Sequence, residues 1–389
     1  MRRISANYIF PVSAEPVPDG VVTIDEDGLI LDVAEKGAPF DQHLDGIICP
    51  GFINSHCHLE LSHLRSQITE KKGMTGFIKE LLSKRFHFPA EEIQKSIEQA
   101  EEEMIRNGIV GVGDISNNDS TFSQKHLGKL NYHTFIEIFS MHPEKAKEIF
   151  EGGKRLSGTA SKLSLSNSIV PHAPYTMSVE LLKLIDNASG YSISTIHNQE
   201  SQEESELFTR NTGVMYEAFK EMGIDPGFMR KTGKNSLQST LPFLANAKRI
   251  LLVHNTYTSA EDISWLRSQY PNLDARVYFA TCPNANLYIE NTLPDYDLFI
   301  REGLKVTIGT DSLASNWSLS ILDEMKAITK HCPQIPLQTL LTWATKNGAE
   351  FFGWNKLGTL ENGNKPGLNL LKNVDGMKLT EQTEIIKIV

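Results

Sequence analysis

Short apolar runs of β-strand character alternate along the chain with stretches of helical period. Eight such runs occur, at residues 47–58, 108–116, 132–140, 163–172, 191–200, 249–255, 275–283 and 305–312. Between two of them, residues 90–107 carry Ile93, Ile97, Ala100 and Met104 at the spacing of one helix face. Strands that alternate with helices indicate a parallel sheet, and eight such units predict an α/β fold of the (β/α)8 TIM barrel type.

The two ends of the chain have a different pattern. Residues 1–49 and the tail alternate short strand signals with turns, for example at 20–24 and 384–389. We predict that residues 1–49 plus 354–389 form a small flanking β-sandwich module, and that residues 50–353 form the barrel. Residues 201–245 are too many for a single connection, so we expect extra helices there that form a lid or an extended wall, with a surface insertion as the alternative.

The composition narrows the class of protein. The chain has 389 residues, of which 40% are hydrophobic and 22% are charged, as is usual for a globular enzyme. Its 38 Lys and Arg against 48 Asp and Glu give a net charge of −10, which argues against a nucleic-acid partner but not against a free nucleoside. No apolar run reaches the length of a membrane span, so no membrane partner is expected.

The cysteines and the N-terminus point to a cellular compartment. Cys49, Cys57, Cys282 and Cys332 are far apart and form no Cys-x-x-Cys pair, which argues against a disulfide framework or a structural zinc site. The N-terminal residues lack the apolar core of a signal peptide. These features predict a cytoplasmic protein. The oligomeric state stays open, with a homodimer among the alternatives.

Four of the apolar runs end in residues that bind metals. The side chains in question are His56 and His58, His197, His254 and Asp311. Side chains at i and i+2 of a strand point to one face, so His56 and His58 can bind one ion. In a barrel the carboxyl ends of the strands carry the functional residues. A single histidine at a strand end is more often a satisfied polar terminus, so it is the ordered set that predicts a metal-dependent hydrolase.

The segment after His197 adds a candidate proton carrier. In His197-Asn-Gln-Glu200 the glutamate leaves the strand and reaches over the metal. A carboxyl group in that place can take a proton from water and deliver it to a ring nitrogen or a departing amine. The alternative, a helix N-terminal acid or a surface charge, is plausible for the neighbouring Glu203 and Glu204.

Several motifs of the chain resemble the amidohydrolase superfamily. They are Pro50-Gly-Phe-Ile-Asn-Ser-His-Cys-His58, Val170-Pro-His-Ala-Pro-Tyr175, His197-Asn-Gln-Glu200, Cys282-Pro-Asn-Ala-Asn286 and Gly309-Thr-Asp-Ser312. The branch resembled is that of the aminohydrolases, which includes S-adenosylhomocysteine/methylthioadenosine deaminase, aminofutalosine deaminase, guanine deaminase and triazine chlorohydrolases. The similarity extends over nearly the whole chain.

The resemblance implies a role for each site residue. One divalent metal ion would be held by His56, His58, His197 and Asp311, with zinc as the expected ion and iron as the alternative. The catalytic residues would be Glu200 as proton shuttle, His254 as partner of the bound water, and Asp311 as proton acceptor. The substrate would be bound by His172, Glu60 and Glu200. No lysine ends the fourth strand, which disfavours a two-metal centre.

The resemblance also implies the reaction. We expect hydrolysis of a non-peptide carbon–nitrogen bond, with a small-molecule substrate, namely an aminopurine nucleoside such as aminofutalosine or an adenosine thioether. Hydrolysis of a chlorinated heterocycle or a cyclic amide is the alternative, and a catalytically silent homologue is a third interpretation. The chain departs from the adenosylhomocysteine deaminases around residues 74–82. Arg65, Phe77, Phe86 and Glu137 are further candidates for substrate contacts, with ordinary packing as the alternative for each.

Overall fold

Strands and helices alternate through the middle of the chain. The structure, a computed structural model, describes residues 1–190, 192–226, 233–270 and 272–389. Its strands are β1 (Arg2–Ile9), β2 (Val17–Pro18), β3 (Val21–Ile24), β4 (Ile30–Ala34), β5 (Gln42–Pro50), β6 (Phe52–Cys57), β7 (Ile109–Ser116), β8 (Asn131–Ile138), β9 (Asn167–Pro171), β10 (Ile193–Asn198), β11 (Arg249–His254), β12 (Val277–Thr281), β13 (Val306–Ile308), β14 (Leu368–Lys372) and β15 (Glu384–Lys387).

The α-helices lie mainly between these strands. They are α1 (Gly73–Lys84), α2 (Ala90–Arg106), α3 (Phe122–His126), α4 (Ala146–Lys162), α5 (Val179–Ala188), α6 (Gln202–Arg210), α7 (Val214–Glu221), α8 (Ser236–Thr240), α9 (Ala260–Gln269), α10 (Leu273–Arg276), α11 (Pro283–Ile289), α12 (Tyr296–Arg301), α13 (Ile321–His331), α14 (Leu337–Ala344) and α15 (Lys346–Phe352). A 3-10 helix at Leu59–Leu64 follows β6 directly. No helix in the described part of the chain is long and apolar enough to cross a membrane.

Two parallel sheets of four strands form the centre of the molecule. One has the order β6-β7-β8-β9 and the other the order β10-β11-β12-β13. Strands such as β11 (Arg-Ile-Leu-Leu-Val-His) are apolar on both faces because helices cover one side and other strands the opposite side. The helix predicted over residues 90–107 is confirmed as α2, and it buries Ile97, Ala100 and Met104.

Backbone hydrogen bonds link the two sheets at both edges. At one edge the His197 N–H donates to the His172 carbonyl at 2.9 Å, next to β9. At the other edge the Asp311 N–H, just past β13, donates to the His56 carbonyl at 3.0 Å, and Cys57 forms an isolated parallel bridge with Asp311. The carboxyl ends of strands from both sheets therefore meet at one place.

The two chain ends contribute to a third sheet. It has the order β15-β14-β5-β1-β3-β4, and β2 pairs with β1. The predicted strand at 47–58 was wrong in its extent, because residues 47–50 end β5 in this sheet and β6 begins at Phe52. Gly51 separates the two strands, and a Cβ atom there would lie 2.6 Å from the Pro366 carbonyl oxygen. The predicted strand at 163–172 likewise begins only at Asn167, because residues 163–166 form the turn that follows α4, with Ser164 at a φ of +57°.

Candidate metal centre and active site

Two histidines of β6 and an aspartate of the other sheet converge on one point. The last two residues of β6 are His56 and Cys57, and His58 is the next residue along the chain. The Nε2 atoms of the two histidines are 3.1 Å apart. Asp311 Oδ1 lies 3.7 Å from His56 Nε2 and 3.3 Å from His58 Nε2. Three potential ligand atoms therefore approach each other within the spacing that one bound ion requires.

His197 of β10 and His254 of β11 complete the cluster. The His197 ring centroid is 4.9 Å from that of His56 and 5.6 Å from that of His58. The ring of His254 stacks on His197 at 5.4 Å. One nitrogen from each of His56, His197 and His254 lies within 4.8 Å of the others. The structure thus brings together all five strand-end side chains that the sequence singled out.

The donor set fits a divalent cation. Two imidazole nitrogens that face each other at 3.1 Å repel unless a proton or a cation lies between them. Burial lowers the pKa of His58 to about 3, and burial with neighbouring histidines lowers the pKa of His197 well below its usual value. Both side chains are therefore neutral at physiological pH, which is the form that binds metals.

Hydrogen bonds on the far side of the rings fix their orientation. His197 Nδ1 lies 2.8 Å from the His172 carbonyl oxygen, and His254 Nδ1 lies 2.9 Å from Asn286 Oδ1. Both oxygens are acceptors, so each Nδ1 carries the proton and each Nε2 keeps its lone pair toward the centre. Asn286 belongs to the motif Cys282–Asn286, but sequence alone assigned it no role.

Asp311 is held by its backbone and by a neighbouring hydroxyl. Its φ angle is +58°, in the left-handed region, and that of His254 is +72°. Ser315 Oγ donates to Asp311 Oδ2 at 2.6 Å. Burial opposes ionisation, but interactions with the imidazoles of His56 and His58 hold the pKa of Asp311 below its usual range. Strained backbone that recurs at such a site is typical of a functional centre.

Glu200 lies beside His254 and is buried. Its Oε1 is 3.2 Å from His254 Nε2, without the alignment of a hydrogen bond. Burial and the charge of Asp311 raise the pKa of Glu200 well above its usual value. The N–H groups of Gln199 and Glu200 donate to Glu204 at 3.2 Å and 3.0 Å, so this acid of the first turn of α6 fixes the bend that carries Glu200. Glu204 is therefore a helix N-terminal acid, as one alternative predicted, and not a surface charge, because its side chain is buried.

Two further buried acids lie near the centre. Glu60 belongs to the 3-10 helix after β6, and Glu137 lies in β8 with Oε1 3.8 Å from His197 Nδ1. Asn117 joins them, since its N–H donates to Glu60 at 3.0 Å and its Nδ2 donates to Glu137 at 2.9 Å. Burial raises the pKa of each acid to about 7. His172 is also nearby, its ring 4.8 Å from that of His197.

The other residues predicted to contact the substrate, Arg65, Phe77 and Phe86, make their contacts elsewhere. Arg65 forms an ion pair with Glu103 and donates to the Trp317 carbonyl, so its guanidinium is bound by surface groups. Phe77 packs on the apolar clusters below α1, and Phe86 is 76% exposed. The cation that faces Glu60 is instead Arg85, which the sequence pattern did not single out.

The described residues between 201 and 245 form short helices, the first of which begins just after Glu200. Helices α6 and α7 contribute Leu207, Phe208 and Met215 to a cluster that also contains Met74 of α1 and Tyr175. Residues 227–232 of the expected lid, and Tyr191 at the start of one predicted strand, lie outside the described residues. The extra helices agree with the expectation, and a lid movement remains a prediction.

Comparison with known proteins gives the family context. The sequence model of the amidohydrolase family matches residues 47–388. The chain is 28% identical over 318 residues to an adenosine deaminase of Helicobacter pylori, and this match covers 80% of the chain and 75% of the relative.

Two solved structures share the fold. An aminofutalosine deaminase of Helicobacter pylori in complex with methylthio-coformycin matches with a TM-score of 0.79 and 22% identity, over 99% of this chain and 97% of that one. An atrazine chlorohydrolase of Arthrobacter aurescens complexed with zinc matches with a TM-score of 0.75 and 18% identity, over 99% and 92%. At these identities the likeness shows the fold, a mixed α/β architecture of the TIM barrel type.

Proposed function

Because the chain belongs to the amidohydrolase family, we propose that it is a metal-dependent aminohydrolase that removes the amino group of an adenosine-type nucleoside. The observation that carries this proposal is the approach of His56, His58 and Asp311 to one point, with Glu200 buried beside it. The relative named adenosine deaminase and the fold neighbour named aminofutalosine deaminase support the substrate class. Aminofutalosine and adenosine thioethers are the narrower candidates.

The metal ligands we propose are His56, His58, His197 and Asp311. Three neutral imidazoles and a carboxylate suit zinc, and iron(II) accepts the same set. Zinc is the expected ion, since the chlorohydrolase that shares the fold was crystallised with it. A divalent ion in such a site lowers the pKa of a coordinated water toward about 7 and supplies hydroxide at neutral pH.

The proton transfers follow from the side chains around that position. Asp311 is ionised and accepts a proton from the attacking water, while His254 Nε2, which keeps its lone pair, accepts a hydrogen bond from the same water. Glu200 is protonated because its pKa is raised, so it can give its proton to the ring nitrogen beside the amino-bearing carbon. The water oxygen would bond to that carbon. The carbon–nitrogen bond would then break as the amino group takes the proton held by Asp311 and leaves as ammonia, while the remaining hydroxyl proton returns to Glu200.

We further propose that the two parallel sheets close into one (β/α)8 barrel over residues 50–353. The hydrogen bonds from His197 to His172 and from Asp311 to His56 support closure at both edges. The third sheet, built from both chain ends, supports a separate module of residues 1–49 plus 354–389. A sandwich architecture of this module stays a prediction, because the described strands of the two ends form one sheet. The four cysteines, all of them described and none in a disulfide, support a cytoplasmic location.

The test is ammonia release by the zinc-loaded protein from a panel of adenosine derivatives. We expect Glu200→Gln to keep its zinc and to lose about 10²–10⁴ in kcat. The matched control is Glu203→Gln, since Glu203 bonds to Thr75 instead of facing the centre. Near wild-type turnover by Glu200→Gln would contradict the proton role. Chloride release from a chlorinated triazine, or opening of a cyclic amide, without any ammonia would favour the chlorohydrolase or amidase alternative.

A further inference from the structure

A left-handed turn at Gln199 connects the end of β10 to Glu200, the candidate proton carrier. Gln199 has a φ of +45°, in a region that residues other than glycine seldom adopt. Backbone in such a conformation persists where the surrounding structure holds it. The Gln199 residue is only 2% exposed, although glutamines mostly lie at protein surfaces. The turn is therefore held from inside the protein.

Both ends of the Gln199 side-chain amide are bound by the segment that follows β11. Thr258 Oγ1 donates to Gln199 Oε1 at 2.7 Å, and Gln199 Nε2 donates to Asp262 Oδ2 at 2.9 Å. The backbone joins the same segment, since the Tyr257 N–H donates to the Gln199 carbonyl at 3.0 Å. Thr258 and Asp262 are buried as well. The segment after one strand thus holds the turn after its neighbour.

Asp262 is itself fixed at the first turn of α9. The Ser259 N–H and Ser259 Oγ donate to Asp262 Oδ2 at 3.0 Å and 2.9 Å, and Asn235 Nδ2 donates to Asp262 Oδ1. Asn235 is the N-cap residue of α8. The group that binds the Gln199 amide is therefore anchored to two helices and not to a free loop.

The carboxyl group of Glu200 has a weaker anchor of its own. Its Oε1 lies 3.2 Å from His254 Nε2, without the alignment of a hydrogen bond. Its place therefore depends on the backbone that carries it. Because proton transfer requires close contact, a displacement of about 1 Å can lower a rate by about 10²-fold.

We propose that Gln199 is a positioning residue that acts through Glu200: the hydrogen bonds of its side-chain amide to Thr258 and Asp262 hold the turn that places the Glu200 carboxyl group. This inference rests on the proposed deaminase function, in which Glu200 transfers the proton. The observations that carry it are the buried amide, bound at both ends, and the left-handed turn.

A purely structural role of these hydrogen bonds makes a different prediction. If they only stabilise the fold, their loss lowers the rate by the same factor whichever residue stands at position 200. If they act through Glu200, their loss has little effect once the Glu200 carboxyl group is gone. A double-mutant cycle separates the two cases, because residues that act as a unit are not additive.

The cycle uses zinc-loaded protein and ammonia release from the adenosine derivative that it hydrolyses fastest. Thr258→Val removes the hydroxyl that binds Gln199 and should lower kcat about tenfold, with KM and zinc content nearly unchanged. Thr258→Ser restores the hydroxyl and should recover most of the rate. Gln199→Met removes both amide contacts and should lower kcat about 10–100-fold. In the Glu200→Gln background, Thr258→Val should change the remaining kcat by about twofold or less.

Two matched controls change exposed residues of the same types. Thr159→Val lies in α4 and Gln202→Met in α6, and both should keep the wild-type kcat. An unchanged kcat in Thr258→Val and Gln199→Met would overturn the positioning role. So would an equal fold-loss from Thr258→Val in the wild type and in the Glu200→Gln background.

Hydrogen exchange of residues 197–204, followed by mass spectrometry, tests the turn without turnover. Thr258→Val should exchange faster there than the wild type, and equal exchange would contradict the proposal. If no adenosine derivative releases ammonia, the deaminase function fails. The same cycle is then run on chloride release or ring opening, so the role of Gln199 is still decided.

Discussion

The two halves of the candidate site are built in different ways. On the metal side, formed by the ends of β6, β10, β11 and β13, the outer atoms of His197, His254 and Asp311 each have a hydrogen-bond partner. On the substrate side, formed by Glu60, Arg85, Asn117, Glu137 and His172, buried charges are left incompletely paired.

The difference shows where each half obtains its partners. The metal side needs mainly one cation, because hydrogen bonds from the protein already orient His197, His254 and Asp311, while His56 Nδ1 is buried without a partner among the described residues. The substrate side is complete only when a ligand adds donors and acceptors, because Glu60 keeps one oxygen without a partner. Single substitutions on the metal side should therefore abolish activity, whereas those on the substrate side should change which ligand binds.

The largest effect is expected from Asp311→Asn on the metal side. The amide cannot accept a proton from water and is a weaker ligand, so kcat should fall by about 10²–10⁴. Zinc content, measured by mass spectrometry of the metal, should fall as well. Asp297→Asn, an exposed aspartate of α12, is the matched control and should retain both properties. If the Asp311 variant kept its full zinc content and a near wild-type kcat, the metal side would not be the part of the site that activity depends on most.

A smaller effect is expected at Asn286, which contacts His254 and not the metal position itself. Asn286→Ala removes the oxygen that holds the His254 Nδ1 proton, so the ring loses its orientation and Glu200 loses a fixed neighbour. We expect a loss of about 10–100-fold in kcat with zinc content and KM nearly unchanged. Asn286→Asp keeps an oxygen acceptor and should recover part of the rate. A rise in KM with kcat unchanged would place Asn286 on the substrate side instead.

The smallest effect concerns stability and not turnover. Glu324 is buried below the loop after β13, where it accepts hydrogen bonds from the Asn284 N–H at 2.8 Å and Asn316 Nδ2 at 2.7 Å. Burial raises the pKa of Glu324 to about 8 from 4.5. The stability that its protonated form contributes is complete below the unfolded pKa and is lost as the pH rises through the folded pKa.

Glu324→Gln should remove this dependence. Between about pH 5 and about pH 9 the wild type should lose about 1–4 kcal/mol more of its free energy of unfolding than the variant loses, by urea denaturation at a fixed zinc load. Equal slopes for the two proteins would show that this acid is charged in the folded state.

The fold and the metal side were largely predictable from sequence because both follow from strand ends. Apolar runs with regular spacing locate parallel strands, and a barrel-type fold gathers their carboxyl ends, so sequence alone is enough to group His56, His197 and Asp311. The first strand was misjudged at residues 47–50 because an apolar run does not reveal which sheet it joins.

The substrate side was much less predictable because loops and helix ends have no period. Glu60 was a candidate, but the arginine singled out near it was Arg65, which pairs with Glu103, and not Arg85. The acid–arginine contact depends on how α1 returns over the 3-10 helix, which no local pattern specifies. Asn286 lay within a quoted motif, yet only the position of His254 shows what it binds.

The central claim is that a single metal ion is bound by His56, His58, His197 and Asp311. X-ray diffraction from crystals of the zinc-loaded protein, recorded at the zinc absorption edge, tests it directly. We predict one anomalous peak per chain, within bonding distance of these four side chains and adjacent to His254. A peak held instead by Glu137, His172 and His197, which also approach within 4.8 Å of one another, or two peaks in the site, would contradict the account.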